Sequence, residues 1–247
     1  MRIVRFGENR WGELAGDQVI ATQSLAGKPS GEKFPRAELE LLAPARPSKI
    51  VCVGRNYAAH IRELHGLGEE LPKEPGLFLK GLNTLTGPDS LIPYPDFTDE
   101  FHYEGELAVV LKNRLYKASE AEAQQAILGY TCAFDLTARD KQRQDLQWVR
   151  AKSADLFCPL GPWLETDFDI AQAQLSTYLN GELRQQASFD QMIFKVPQIL
   201  SYISGFMTLE AGDLVLTGTP EGVGTLSRGD RLELTITGIG TLAVSII

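Results

Sequence analysis

The sequence predicts a mixed, mainly β fold with some helices, an α+β class. Short apolar runs bounded by Gly, Asn and Asp recur along the chain, as strands and turns do. Strand-like runs outnumber helical ones. The two kinds do not alternate regularly, which argues against a doubly wound parallel sheet.

Residues 1–43 read as a small β unit, with strands at 3–6, 11–14 and 19–21 separated by Gly7, Asn9, Gly16 and Asp17. Pro44 and Pro47 make 44–48 a linker, because proline continues neither a helix nor a central strand. Residues 49–247 read as one continuous domain without internal repeats. Its strands are expected at 50–53, 106–111, 130–135, 214–217 and 231–236. Asn180-Gly181 between 175–179 and 182–184 is a two-residue hairpin signal. Helices are expected at 56–65, stopped by Gly66; at 119–128, with Ser119 and Glu122 at capping-box spacing; and at 192–203.

The chain has 247 residues, 24 Lys+Arg against 32 Asp+Glu, and a net charge of −8. This acidic balance argues against a nucleic-acid partner, whose phosphates need clustered Lys and Arg. No apolar run approaches the ~18 residues of a membrane span. The charged N-terminus leaves no room for the apolar stretch of a signal peptide. The three cysteines form no C-x-x-C, and Cys52 and Cys132 sit in apolar runs. A cytoplasmic protein with reduced core thiols is expected, with neither membrane nor nucleic acid as partner.

Four features carry chemistry. Glu104 and Glu106 precede an apolar strand, and residues i and i+2 share a face. Two carboxylates entering an interior need a cation or strong donors; read alone, the pair is also compatible with a solvated strand end. Asp135 ends the apolar run 130–134, where a helix N-cap or an ion pair with Arg139 is the plainer reading. If Asp135 meets the two glutamates, the all-oxygen set suits Mg²⁺ or Mn²⁺. Ca²⁺ suits it less well and would enter as a substitute in crystals. His102, two residues before Glu104, is a further ligand candidate or a neighbour of the set. His60 and Glu63 stand at i and i+3 of a helix, where a carboxylate can fix the imidazole tautomer and make a general base; an exposed pair has the same spacing. Finally, 216–224 is a Gly-rich turn after a strand, either an anion-binding nest or a tight hairpin. Its spacing fits neither a P-loop nor G-x-G-x-x-G.

The strings GRNYAAHIRE (54–63), EPGLFLKG (74–81), HYEGELAVVL (102–111), GYTCAFDLTARDKQ (129–142), AKSADLFCP (151–159), NGELRQ (180–185) and LEAGDLVLTGTPEGVG (209–224) resemble the fumarylacetoacetate hydrolase superfamily, in family order over about 50–247. The resemblance implies the family's mixed β-roll for 49–247 as a catalytic domain, preceded by the small N-terminal β unit of many bacterial members. It implies a divalent metal, Mg²⁺ or Mn²⁺, on Glu104, Glu106 and Asp135. His60 and Glu63 match a catalytic pair on a helix that orders over substrate. Lys152 matches a position that adds positive charge beside the reacting oxygen. Arg139, Gln142, Thr219, Gly218 and Tyr57 fall at substrate-contacting positions. A homodimer is implied.

The substrate so implied is a small 2-oxo acid with an acyl or carboxyl group at C3, reacting through an enolate. Hydrolysis of acylpyruvates, decarboxylation or tautomerisation of oxaloacetate, and isomerisation of 2-hydroxyhepta-2,4-diene-1,7-dioate (or decarboxylation of the related tricarboxylate) all share that intermediate. The presence of both His60 and Glu63 favours cleavage. A non-catalytic metal-binding paralogue is the third reading. Residues 66–73 are expected to cover the site, and 145–148 to lie at its rim.

Overall fold

Small and apolar residues let the Gly105–Leu111 strand cross the centre of the molecule with every residue buried. The computed structural model describes residues 1–65 and 70–247. Gly105–Leu111 pairs antiparallel with Ile127–Phe134 on one side and Leu214–Leu216 on the other. Beyond Leu214–Leu216 the sheet continues through the parallel Ile50–Gly54 strand to Gly76–Lys80. Beyond Ile127–Phe134 it continues through Cys158–Glu165 to Arg2–Phe6, Arg10–Ala15, Gln18–Thr22 and Pro29–Pro35. Leu85–Thr86, shortly after Gly76–Lys80, pairs with Cys158–Glu165, so the sheet curls back on itself as a roll. A second sheet holds Glu182–Ser188, Gln174–Leu179, Arg231–Ile236, Gly240–Ile246 and Leu91–Ile92. A third, small sheet joins Thr137–Ala138, Phe101–Tyr103 and Gly224–Thr225.

The two faces of Gly105–Leu111 serve different cores, as the period of two requires. Leu107, Val109 and Leu111 pack into the large cluster with Val53, Phe134, Leu232 and Leu234. Ala108 and Val110 face Ile50, Cys52, Ala133, Leu214 and Leu216 inside the roll. Each fully buried Val or Leu adds about 1.5–3 kcal/mol of apolar burial. Cys52, Cys132 and Cys158 are buried and free.

The fold is mainly β with few helices, as the sequence predicts, but several elements differ. The helix expected over 119–128 is Glu120–Gln125 only. Its capping box forms as expected, while Ile127 and Leu128 begin the next strand, pulled into the sheet opposite Leu111. The helix expected from 192 starts at Val196, because Met192 instead bridges to Tyr57. Four strands of five residues or more have no counterpart in the sequence reading: Pro29–Pro35, Gly76–Lys80, Cys158–Glu165 and Gly240–Ile246. The expected N-terminal strands join the main sheet directly, with Arg2 opposite Glu165 and Ile3 opposite Leu164. Among the described residues no helix is long and apolar enough to cross a membrane.

Candidate active site

Strand ends deliver the three carboxylates. Glu104 lies at the break between Phe101–Tyr103 and Gly105–Leu111, and Glu106 one step inside the latter. Asp135 follows Ile127–Phe134, and its N–H bonds the Glu104 carbonyl at 2.9 Å. One carboxylate oxygen from each of Glu104, Glu106 and Asp135 lies within 4.8 Å of the others, and all three residues are buried.

Three buried cations face them. Lys152 donates to Glu104 Oε2 (2.9 Å), Asp135 Oδ2 (2.5 Å) and Thr137 Oγ1 (2.8 Å). Lys80 donates to the other Asp135 oxygen at 2.5 Å. Arg139 pairs with Glu104 and, at 2.5 Å, with Gln142 Oε1. The ion pair with Arg139 that Asp135 alone suggested therefore goes to Glu104. Burial works against the Glu104 carboxylate, but Lys152 and Arg139 outweigh it and hold the group well below the usual range. Burial opposes the Lys152 ammonium too, and Asp135 with Glu104 outweighs that, raising it. Glu106 is the exception: burial, then Asp135 and Glu104, push its carboxyl well above the usual range. Its hydrogen bond comes from the Gly218 N–H, at 2.6 Å.

This donor set fits a hard divalent cation: oxygen ligands only, closely spaced, buried, with one carboxyl lacking a charged partner of its own among the described residues. His102 is not part of it. Phe101–Tyr103 and Gly105–Leu111 belong to different sheets, so the i, i+2 relation breaks at Glu104. Burial and then Arg139 lower the His102 ring to about 4, and its buried Nδ1 has no hydrogen-bond partner among the described residues.

His60 and Glu63 come from the Ala58–His65 helix, with Nδ1 3.2 Å from Glu63 Oε2. The other Glu63 oxygen accepts from the Gly222 N–H at 3.0 Å. Burial raises Glu63, and the His60 and Gly222 bonds reverse this to a lowered value. The carboxylate is thus held ionised beside the ring.

His60, Glu104, Glu106, Arg139, Gln142, Lys152 and Thr219 line one cavity of about 420 Å³, together with an apolar wall of Val53, Leu64, Phe78 and Trp148. Trp148 meets Phe78 edge-on at 5.5 Å. Two expected contacts differ. Tyr57, just before the helix, does not line this cavity; its ring is packed in the core and its backbone bridges to Met192. Gly218 spends its N–H on Glu106 rather than offering it to a substrate anion. Of the expected cover, 66–69 lie outside the described residues.

Sequence reasoning missed Lys80, Asn56 and Gln185. Lys80 ends an apolar strand, and a lysine there was the available signal. Asn56 is fully buried and ties the Ile50–Gly54 strand end to the Thr217 carbonyl (2.8 Å) and to Phe194 (2.7 and 3.1 Å). Gln185 lies in the second sheet, and nothing local in NGELRQ marks it.

The family model for the fumarylacetoacetate (FAA) hydrolase C-terminal domain matches residues 49–247, and an Rv2993c-like N-terminal model matches 1–44. The chain belongs to the fumarylacetoacetate hydrolase family. A curated relative, the oxaloacetate tautomerase YisK of Bacillus subtilis, is 39% identical over 92% of this chain and 82% of its own. The crystal structure of 2-hydroxyhepta-2,4-diene-1,7-dioate isomerase from Mycobacterium marinum superposes with a TM-score of 0.91 at 38% identity, covering 100% of this chain and 98% of that one. The maleylpyruvate hydrolase of Sphingobium sp. SYK-6, solved with manganese(II) and pyruvate, gives 0.83 at 29% identity, covering 100% and 99%.

Proposed function

We propose that this chain is a divalent-metal-dependent enzyme that moves the C3 proton of small 2-oxo acids, tautomerising oxaloacetate-type substrates. The observation that carries the reading is that His60, held by Glu63, lines one cavity with Glu104 and Glu106 of the Glu104–Glu106–Asp135 set.

When bound to the three carboxylates, Mg²⁺ or Mn²⁺ supplies Lewis-acid stabilisation of charge on the substrate's C2 oxygen. Three buried cations already face the three carboxylates. With a divalent ion held there the site would be net positive, and an anionic 2-oxo acid would restore the balance. Glu63 fixes the proton of His60 on Nδ1, so Nε2 is the nitrogen that takes the C3 proton or returns it. The Lys152 ammonium stands beside the oxygen that gains charge. Tautomerisation then moves one proton between carbon and oxygen with no other bond broken. If the substrate carries a C4 acyl group, the same His60 can activate water, which gives acylpyruvate hydrolysis. If C4 is a carboxylate, CO₂ can leave from the same enolate.

The apolar wall of Leu64, Phe78 and Trp148 favours a second reading, in which a longer dienedioate is isomerised. An ultraviolet assay of oxaloacetate enol–keto exchange, run beside pyruvate release from acetylpyruvate and oxaloacetate, separates these outcomes. Metal-dependent exchange that EDTA abolishes supports the proposal. Exchange at the buffer rate with the metal bound sinks it. We further propose that the chain acts as a homodimer in the cytoplasm.

A further inference from the structure

We infer that Gln185, in the second sheet, is the positioning residue that sets the spacing of Glu104 and Glu106; this rests on the metal-site reading above. Gln185 is 1% exposed and uses both ends of its amide. Its Oε1 accepts from the Gly105 N–H at 3.0 Å. Its Nε2 donates to Thr219 Oγ1 at 2.8 Å and to the Pro220 carbonyl at 2.9 Å. Thr219 Oγ1 in turn donates to the Gly105 carbonyl at 2.9 Å.

These bonds form a closed ring around Gly105, the residue between the two glutamates. The Gly105 N–H belongs to the peptide shared with Glu104, and its carbonyl to the peptide shared with Glu106. Fixing both peptide planes fixes where the two side chains leave the backbone. The same turn also holds the Glu106 carboxylate through the Gly218 N–H. Only glycine permits this approach: a Cβ at 105 would stand 2.3 Å from Thr177 Oγ1 and 3.0 Å from Gln185 Oε1. Gln185 thus ties the second sheet, the Gly218–Thr219 turn and the carboxylate-bearing strand into one unit without itself reaching the cavity lining.

Groups that orient metal ligands without touching the ion change affinity by about 10- to 100-fold when removed. The test is Mn²⁺ binding by titration calorimetry on the purified full chain, beside thermal melting and kcat and KM for oxaloacetate. Gln185→Met keeps the volume and removes the amide; it should lower Mn²⁺ affinity by about 10-fold or more. Leu175→Ala, a core variant in the neighbouring strand, should lower Tm while leaving Mn²⁺ affinity unchanged. Thr219→Val should match the Gln185→Met loss, and Thr219→Ser, which keeps the hydroxyl, should restore wild-type affinity. If Gln185→Met does not fold, the Thr219 pair decides. Mn²⁺ affinity at the wild-type level in Gln185→Met, or in Thr219→Val, overturns the inference. Absence of Mn²⁺ binding in the wild type would instead remove the metal-site reading beneath it.

Discussion

Burial and two neighbouring carboxylates push Glu106 upward, so its proton persists to higher pH than an ordinary glutamate's. A metal ion must displace that proton. Apparent metal affinity should therefore climb as pH rises through the Glu106 pKa and level off above it; calorimetry at several pH values checks this, and a flat profile contradicts it. Asp213 shows the opposite sign. Burial raises it, but Lys49, the Glu210 N–H and Ser48 outweigh this and lower it. Its contribution to stability is complete above the unfolded value of about 3.9 and is lost as pH falls through the lower folded value. Melting curves below about pH 4 should show Asp213→Asn losing less stability than wild type. At the helix, His60→Ala should reduce kcat by about 10²- to 10⁴-fold with metal binding intact. Glu63→Gln should fall in the same direction. At this scale the three acids were legible only through the family resemblance, since read alone Glu104 and Glu106 also fit a solvated strand end and Asp135 an N-cap or an ion pair. Their partners were not. Lys80 is 55 residues from Asp135 along the chain, and no local pattern announces such a pair.

Strands and turns were legible where their own residues dictate the geometry. Asn180 and Gly181 both take positive φ, 53° and 82°, as the hairpin signal requires. Cys158–Glu165 escaped notice because Pro159, Gly161 and Pro162 argue against a strand, yet it lies between two strands of the main sheet. Pro29–Pro35 escaped for another reason: it is mostly exposed at the sheet edge and shows no apolar alternation. The 119–128 helix was overextended because capping residues mark a start, whereas its end is set by the sheet pairing of Ile127. The turn after Leu214–Leu216 is the element most exposed to a single change. Gly218 has φ +95°, and a Cβ there would stand 2.8 Å from Asn56 Cβ and 3.1 Å from the Val53 carbonyl. Gly218→Ala should cost roughly 1–3 kcal/mol in denaturant unfolding and weaken metal binding by moving the N–H that Glu106 accepts. Unchanged stability would contradict the steric account.

At the scale of the molecule, an acidic chain of −8 concentrates buried positive charge around its carboxylates. Overall composition concealed this, because it averages the site with the surface. The roll explains how residues from 53 to 219 share one cavity: the central strands end side by side, and Leu85–Thr86 brings the sheet round to Cys158–Glu165. Light scattering should give twice the 27.2 kDa chain mass if the homodimer is right. The most direct test of the account is deuterium uptake at C3 of pyruvate in D₂O, followed by proton NMR with Mg²⁺. Pyruvate offers the proton step with no C–C bond beyond C3 to cleave. The account predicts uptake well above the buffer rate, abolished by EDTA and by His60→Ala. Uptake at the buffer rate, or uptake that survives His60→Ala, would contradict it.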